Sequence, residues 1–510
     1  MNINRRSVMQ LMGGASAAAM LPAATMRGAR AATGTVVVAI EEAPKQLDPL
    51  RYLTNPGYRT IYNIFDTLIG VDYRANGKLI PGLATSWRRI NDRTVEVKLR
   101  ENVSFHDGTK MTADDVVFSF SAERINTKGT PGYANAQQHL STIDRAEATA
   151  PDTVRIVSRD ADPVLEQRLS AWGAQIISKA AFQKAGWDGF AQKPIGTGPY
   201  SVTSLGADEV RLKAFAGHWA GEPSIDTLVF RGVPELSARI AGLTSGDFQL
   251  IADVPPDQFP AVTRSSNLDI VGGPIASMRV VKFDTRNPQL KDPRVRQALT
   301  LAVDRDAIVK SLWAGRVDVP RGHQLESYGE FYNANYPAYQ YNPTKARELL
   351  AAAGYAGQPI PYRIRVNAYG AEVATAQVLV AMWKQVGVNI DLQIKETFGQ
   401  LLEFPGTGMR NGADPVLVND PLFGIWRSYN EAERDVWSNE QFYKLGHQLE
   451  TEMNPAERRR AFQGMVEIFD QDPPAIILHR FGVFYAKVKN LKWDAYPHVY
   501  MDFRRGVASL

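Results

Sequence analysis

The feature that most constrains the fold is a strand–helix–strand pattern that occurs twice along the chain. In the first copy, an apolar run at 228–233 precedes Pro234, a residue that favours the first turn of a helix. Apolar residues at helical spacing follow over 236–243, Gly246 ends the helix, and a second apolar run covers 248–252. Two strands joined by a helix of this size form a parallel unit. The pattern therefore predicts an α/β fold.

The second copy has a clearer strand signature. Apolar and polar residues alternate over 362–366, a helical stripe follows over 373–383, and Gly387 ends the helix. Alternation resumes over 388–394 and predicts a second strand. Because the two copies lie far apart in the sequence, we assign them to two different lobes.

The first 31 residues have the pattern of an export signal. Arg5 and Arg6 are adjacent, a weakly apolar stretch covers 8–21, and residues 29–31 have the small-x-small form of a cleavage site. The paired arginines favour the twin-arginine route, with an ordinary Sec signal as the alternative. The apolar stretch is shorter than the roughly 20 residues that span a membrane. We therefore predict a soluble mature chain.

Charge and cysteine content narrow the function further. The chain has 58 basic and 54 acidic residues, and residues 1–31 hold four of the basic and none of the acidic ones. The mature chain therefore has no net charge, which argues against nucleic acid as a partner. Cysteine is absent, which excludes disulfides, thiolate metal sites and a lipidated cysteine anchor. We expect a free periplasmic protein that is long enough for two or more domains.

Two short motifs mark helix starts. Thr112 begins a capping box that Asp115 completes. Asp292 is a typical N-cap residue, and Pro293 follows it at the first helical position. An alternating strand at 95–99 precedes the capping box.

Five runs of sequence together resemble one protein family. They are 80–87, 98–119, 196–200, 292–305 and, more weakly, 341–350. In order and spacing they are similar to the bacterial extracellular solute-binding proteins of the peptide, opine and nickel class, family 5. The resemblance covers nearly the whole mature chain. The residues themselves indicate scaffold, because the runs consist of turns, bends and helix starts.

The resemblance implies a periplasmic binding protein of type II, or cluster C, with two lobes joined by a hinge and an α+β domain inserted in the first lobe. The ligand would lie between the lobes, and the closed form would dock on an ABC permease driven by cytoplasmic ATPases. We expect a monomer with no catalytic residue, cofactor or metal. The expected ranges are a signal peptide at 1–31, lobe I at 32–62, 200–277 and 486–510, an inserted domain at 63–199, and lobe II at 278–485.

Ligands of open α/β sheets bind beyond the carboxyl ends of the strands. Three such edges are predicted, at 41–52, 253–256 and 367–369. Tyr52 and Tyr369 each offer a ring face and a hydroxyl, and Asn367 offers an amide. We predict that these three residues contact the ligand.

A further segment contains two Asp-Pro pairs, at Asp414 and Asp420. In peptide-binding members of the family that the chain resembles, an aspartate of this region pairs with the ligand's amino group. The usual Trp-Gly-x-Asp-Tyr run is missing here, so either aspartate is a candidate, and we favour Asp420, with Phe423 and Trp426 beside it. Arg427 could instead meet a carboxylate or phosphate through a bidentate contact.

The function that these observations predict is capture of a peptide or a related small solute, not catalysis. The seven histidines are scattered, and the chain has no His-Glu-x-x-His pair, no Gly-x-Ser-x-Gly elbow and no phosphate loop. The departure from the peptide-binding pattern leaves opines, sugar conjugates and metal chelates open as ligands. A periplasmic chaperone, a receptor or an enzyme on the same fold is the remaining alternative.

Overall fold

The computed structural model describes residues 34–366 and 369–510. The predicted signal peptide and Asn367 lie outside the described residues. Within the described ranges, no helix has both the length and the apolar character needed to cross a membrane. We keep the names lobe I, inserted domain and lobe II for the ranges expected from the sequence.

The described chain contains sixteen strands and fifteen α-helices. The strands are β1 (Thr35–Ile40), β2 (Ile69–Asp72), β3 (Lys78–Pro81), β4 (Ala84–Asn91), β5 (Thr94–Leu99), β6 (Ile143–Ala150), β7 (Thr153–Ser158), β8 (Tyr200–Leu205), β9 (Glu209–Ala214), β10 (Thr227–Gly232), β11 (Leu250–Ala252), β12 (Leu268–Phe283), β13 (Ile360–Arg365), β14 (Ile390–Lys395), β15 (Met409–Pro415) and β16 (Ala475–Val488).

The helices are α1 (Asn55–Ile61), α2 (Ala113–Ser119), α3 (Tyr133–Ala136), α4 (Leu165–Arg168), α5 (Lys179–Gln192), α6 (Leu236–Ser245), α7 (Phe259–Thr263), α8 (Pro293–Leu301), α9 (Arg305–Trp313), α10 (Pro343–Ala352), α11 (Glu372–Gln385), α12 (Phe398–Leu402), α13 (Ile425–Tyr429), α14 (Glu440–Thr451) and α15 (Pro455–Gln471). The predicted helix starts are confirmed, since Thr112 caps α2 and Asp292 caps α8.

Both predicted strand–helix–strand units are present in one ten-stranded sheet of order β14-β13-β15-β12-β16-β11-β1-β10-β9-β8. The second unit is a direct parallel pair, β13 beside β14. The first unit is different, because β1 lies between β10 and β11 and is parallel to both. The sequence pattern identified the strands but not this insertion, because helical and strand periodicity carry no information on which distant strand becomes the neighbour.

The two halves of the sheet are joined by the long antiparallel strands β12 and β16. Their register shifts between Pro274 and Met278, and again between Arg279 and Val280. Such irregularities interrupt the ladder and bend the strands locally. Because 278–485 is continuous in sequence, the chain passes between the halves twice, once in each strand. These two strands are the structural candidate for a hinge.

The range 63–199 contains sheets of its own, the hairpin β2–β3 and the antiparallel sheet β4-β5-β7-β6. At the boundary between this range and lobe I, two of the family motifs contact each other, 98–119 and 196–200. The His106 backbone N–H donates to the Gly196 carbonyl (3.0 Å), and a Cβ at Gly196 would lie 2.1 Å from the Ile64 carbonyl oxygen. Only glycine fits there, so these motifs are scaffold, as the sequence indicated.

Candidate functional site

The three strand edges predicted to face a ligand meet at one cavity between the lobes, which we call the hinge cavity. It measures about 230 Å³ and is lined by Glu41 after β1, Asp253 after β11 and Tyr369 after β13. Trp313 and Phe481 complete its wall from lobe II. The carboxyl ends of strands from both lobes therefore face the same space, as expected for open α/β sheets.

Charged groups of lobe I dominate one side of the hinge cavity. Arg59 donates to both carboxylate oxygens of Asp253 at 2.6 Å. Burial opposes ionisation of Asp253, but Arg59 outweighs it and lowers the pKa of Asp253. Burial and then Asp253 raise the pKa of Glu41. This wall therefore holds one balanced ion pair and one carboxylate whose charge is disfavoured, together with Glu235 and with Arg239, which donates to backbone carbonyls.

Tyr369 supplies the opposite, aromatic side of the hinge cavity. The Arg279 guanidinium lies 3.8 Å from its ring centroid, and Phe481 packs against the ring edge-to-face at 5.8 Å. Arg279 in turn is paired with Glu372 at 2.9 Å. Tyr52 is placed differently: it is half-buried near Glu42, with the two side-chain oxygens 3.4 Å apart, and lines neither this cavity nor the one described next.

A second cavity of about 250 Å³ lies where lobe II, the inserted domain and the C-terminal segment meet, and we call it the inserted-domain cavity. The β2–β3 hairpin contributes Tyr73, and residues 416–419 form the facing wall from lobe II. Arg480 of the hinge strand β16 and His498 of the C-terminal segment also line it. Apolar side chains cover most of the wall, which suits capture of a small organic solute.

An aromatic cluster fills the space beside the inserted-domain cavity. Tyr58 of lobe I packs edge-to-face on Trp172 of the inserted domain at 4.6 Å, and Tyr500 stacks on Trp172 at 5.8 Å. Leu417 of lobe II belongs to the same buried core. Side chains from all three parts of the chain therefore meet here.

The structure places the two candidate aspartates inside lobe II rather than at a cavity wall. Asp420 is 5% exposed and accepts from both terminal nitrogens of Arg458, at 3.0 and 3.2 Å. Asp414 is fully buried, 3.0 Å from the Lys282 ammonium, and accepts from the Tyr429 hydroxyl at 2.6 Å. Burial opposes its ionisation, yet Lys282 holds its pKa below the usual range. Each carboxylate is already balanced, which the local sequence did not reveal because both partners are distant in the chain.

Phe423 and Trp426 lie at the contact between lobe II and the inserted domain. Phe423 stacks on His139 with centroids 6.1 Å apart. The Trp426 indole N–H donates to Glu450 at 3.3 Å, and Glu450 lies 3.5 Å from Arg168 of the inserted domain. Both aromatic residues are buried and line neither cavity.

Arg427 stands at the same contact with unused hydrogen-bonding capacity. It donates to the Gln138 side chain, and its second terminal nitrogen lies 3.5 Å from the Pro415 carbonyl. Its Nε is buried without a partner, and no carboxylate of residues 34–366 or 369–510 forms an ion pair with it. Burial lowers its pKa, and Tyr58, then the Asp414 carboxylate and Tyr500, lie near enough to act on its charge. The guanidinium thus lies next to the aromatic cluster with no carboxylate of the described residues within ion-pair distance, and it lines neither cavity.

Sequence reasoning missed Asn419, Arg480 and His498, which all line the inserted-domain cavity. None of them belongs to a recognisable motif. His498 lies in the loop after β16 and Arg480 in the middle of that strand, so neither follows the carboxyl end of a parallel strand. Only the folding of the C-terminal segment over the hinge brings them to the cavity.

Comparison with known proteins gives relatives along nearly the whole chain. The glutathione-binding protein GsiB of Escherichia coli (strain K12) is 28% identical over 492 residues, which cover 92% of this chain and 93% of that protein. A dipeptide-binding protein of Pseudoalteromonas sp. SM9913, solved with Met-Leu, superposes with a TM-score of 0.82 at 20% identity, covering 94% and 99% of the two chains. NikZ of Campylobacter jejuni, solved with Ni(L-His), superposes with a TM-score of 0.80 at 23% identity, and the match covers 92% of this chain and 97% of NikZ.

These likenesses confirm the predicted α/β, two-lobed binding-protein fold. The family model for bacterial extracellular solute-binding proteins, family 5, matches residues 78–430. Proteins of this family bind peptides or other small ligands and work with ABC permeases, and the role of this chain is that of the substrate-binding component. The chain belongs to the bacterial extracellular solute-binding proteins of family 5.

Proposed function

We propose that this chain captures a small organic solute with an anionic group, a peptide or a related compound, and delivers it to an ABC permease of the inner membrane. It acts in the periplasm as a monomer, without a catalytic residue or cofactor. The proposed lobes are those expected from the sequence, with lobe I at 32–62, 200–277 and 486–510, the inserted domain at 63–199 and lobe II at 278–485. The hinge strands β12 and β16 cross between lobes near the ends of these ranges, which supports the boundaries.

The observation that carries the proposal is Arg427. A buried guanidinium whose Nε has no hydrogen-bond partner, and which Asp414 reaches only beyond ion-pair distance, favours an incoming anion. Arginine pairs with carboxylates through two parallel hydrogen bonds, which are stronger than those between neutral groups. The ligands named for the relatives, glutathione, Met-Leu and L-histidine, all carry a carboxylate. We therefore place the ligand's carboxylate at Arg427.

Closure of the hinge explains how capture is coupled to delivery. Lobe II is linked to the rest of the chain by β12 and β16, whereas Arg427, Glu450 and Asn419 contact the inserted domain across the cleft. These contacts belong to the closed form. A solute that binds both sides stabilises that form and shifts the population towards it.

The test replaces Arg427 by glutamine and measures binding by calorimetry after a melting-shift screen of di- to pentapeptides, opines and nickel complexes. We expect Arg427→Gln to weaken carboxylate ligands by roughly tenfold or more, because a charge-assisted pair is lost. The matched variant Gln138→Ala removes the contact of Arg427 with the inserted domain but keeps the guanidinium, and it should weaken binding much less. Unchanged affinity in Arg427→Gln would refute the assignment.

Export is proposed from the sequence. Arg5 and Arg6 precede a short apolar stretch and a small-x-small cleavage site. Replacement of both arginines by lysine should retain the precursor in the cytoplasm if the twin-arginine route is used. Unimpaired export of that variant would support the Sec alternative.

A further inference from the structure

We infer that Arg480 and His498 form a second anion-recognising point in the inserted-domain cavity, so that the natural solute carries two anionic groups. This inference rests on the proposed function, in which the first group binds Arg427. It narrows the ligand from carboxylates in general to dicarboxylates, such as peptides with an acidic side chain or amino-acid conjugates with two carboxyl groups.

Arg480 has donors that the protein does not use fully. Its Nη2 lies 3.4 Å from the carbonyl oxygens of Pro274 and Ile275, which is long for a charged donor. Its nearest carboxylate, Asp318, is 3.6 Å away and 53% exposed, so that pair is weak and screened by solvent. Its buried Nε has no partner. The guanidinium therefore retains capacity for an anionic oxygen in the cavity.

His498 supplies a neutral donor at the same cavity. The side chain is 4% exposed, and the Val416 carbonyl is the one partner near its ring, in a hydrogen bond of poor geometry. Its ring stacks on Tyr500 at 4.0 Å, which holds the imidazole in place. Burial lowers its pKa to about 3, so at neutral pH it offers one N–H and one acceptor nitrogen. Buried polar groups in folded proteins usually have well-formed hydrogen bonds, and a ligand oxygen would give this ring a bond of better geometry than the one to Val416.

The remaining wall favours a negative charge. Among the lining residues, Glu326 is the one carboxylate, and it is exposed at the rim. The other polar lining groups are neutral amides and hydroxyls. An anion inside the cavity therefore meets one cation and neutral donors without a facing buried carboxylate.

Arg480 also connects the cavity to the hinge. It lies opposite Met278 in the β12–β16 ladder, at the register shift between Pro274 and Met278. His498 belongs to the segment that returns over lobe I, and the Ala276 backbone N–H donates to the Pro497 carbonyl (3.0 Å). A carboxylate that contacts both Arg480 and His498 in this cavity would join β16 to that segment, so its binding would stabilise the closed hinge directly.

The experiment uses pairs of ligands that differ by one carboxylate. Binding of Ala-Glu is compared with Ala-Gln, and glutathione with its glycine amide, to the wild type and to the variants Arg480→Gln, Arg480→Lys, His498→Asn and Arg427→Gln. Arg264→Gln, an exposed arginine away from both cavities, is the matched control. Thermal melting of each variant shows that it is folded.

We expect the wild type and Arg264→Gln to bind the dicarboxylate of a pair roughly tenfold tighter, as a charge-assisted contact predicts. Arg480→Gln should abolish this preference while it leaves the affinity for the monocarboxylate nearly unchanged, and Arg480→Lys should retain part of it. His498→Asn should reduce the preference several-fold. Arg427→Gln should weaken both members of a pair equally.

Two outcomes overturn the inference. One is that no dicarboxylate binds the wild type more tightly than its partner. The other is that Arg480→Gln keeps the full preference. The proposed function stands in either case if Arg427→Gln still weakens the ligands that bind, and it fails separately if Arg427→Gln has no effect.

Discussion

The side-chain amide of Asn419 donates a hydrogen bond of 2.9 Å to the backbone carbonyl of Asn76. Asn419 belongs to lobe II and Asn76 to the tip of the β2–β3 hairpin in the inserted domain, so this bond spans the cleft beside the inserted-domain cavity. The neighbouring Gly77, at φ 75°, lets the hairpin approach, because a Cβ there would lie 3.0 Å from the Asn419 Cβ. In the proposed hinge closure, this bond stabilises the closed form at the edge of the cavity.

Asn419→Ala removes this bond and a second one of 2.6 Å to the Ser327 carbonyl within lobe II. Because only the bond to Asn76, worth about 0.5–1.5 kcal/mol, is specific to the closed form, ligand binding should weaken by a few-fold to about tenfold. Small-angle scattering should show a larger open fraction at subsaturating ligand. The control Asn389→Ala removes an amide that bonds to the Gly357 carbonyl within lobe II, and it should leave affinity unchanged. Equal effects of the two variants would contradict a role for Asn419 in closure.

Ligand affinity should fall in acid because of His139. This residue is fully buried against Phe423, with both ring nitrogens unpartnered. Burial, and then the charges of Arg427 and Arg168, hold its pKa well below the ordinary value. Opening would hydrate it and return its pKa towards about 6.5. The open form then binds the proton more readily. Ligand affinity should therefore be highest above about pH 6.5 and should fall by up to about tenfold for each pH unit below it.

Calorimetry at several pH values between 5 and 7.5 measures this effect. His139→Gln should flatten the pH dependence of ligand affinity. His447→Gln, which removes an exposed histidine of lobe II 3.5 Å from Glu431, should leave it intact. A wild-type affinity that does not change with pH, or an unaltered slope in His139→Gln, would show that His139 stays buried when the lobes separate.

Stability should depend on pH through His479. Its side chain is 1% exposed in β16, and burial lowers its pKa to about 4. Unfolding returns the group to about 6.5, so the unfolded chain binds more protons below that pH. The stabilisation is therefore complete above pH 6.5 and is lost as the pH falls towards 4, by about 3 kcal/mol.

Urea unfolding at a series of pH values tests this expectation. The His479→Gln variant should show a smaller loss of unfolding free energy between about pH 6.5 and 4 than the wild type. Other buried histidines contribute to the slope in both proteins, so the comparison uses the difference between the two slopes. Parallel curves would indicate that His479 does not titrate on unfolding in this range.

Asp420→Ala should destabilise the protein rather than act on the ligand alone. It leaves Arg458 buried without its carboxylate, a loss that costs about 3–5 kcal/mol for buried pairs. Ligand affinity of the folded fraction should change little. Asp257→Ala, at an exposed position, serves as the control for thermal melting. A stable Asp420→Ala variant that loses amine-bearing ligands would support the role predicted for Asp420 from sequence.

Local patterns predicted the elements of this fold well. The strand at 362–366, the helix capped by Asp292 and the capping box at Thr112 are confirmed within one or two residues, because caps and periodicity act over a few neighbours. The insertion of β1 between β10 and β11 depends on long-range pairing, which no local pattern encodes.

The sequence by itself determined the class of the protein and the strand ends where a cavity forms, since Glu41, Asp253 and Tyr369 do line one space. Only the tertiary structure decided which charged side chains have an ion-pair partner and which do not. Asp420 is neutralised by Arg458, 38 positions away, whereas Arg427 has no carboxylate partner among the described residues. The physical reason is that a charge is balanced by whatever lies within a few ångströms in space, and chain separation does not report that distance.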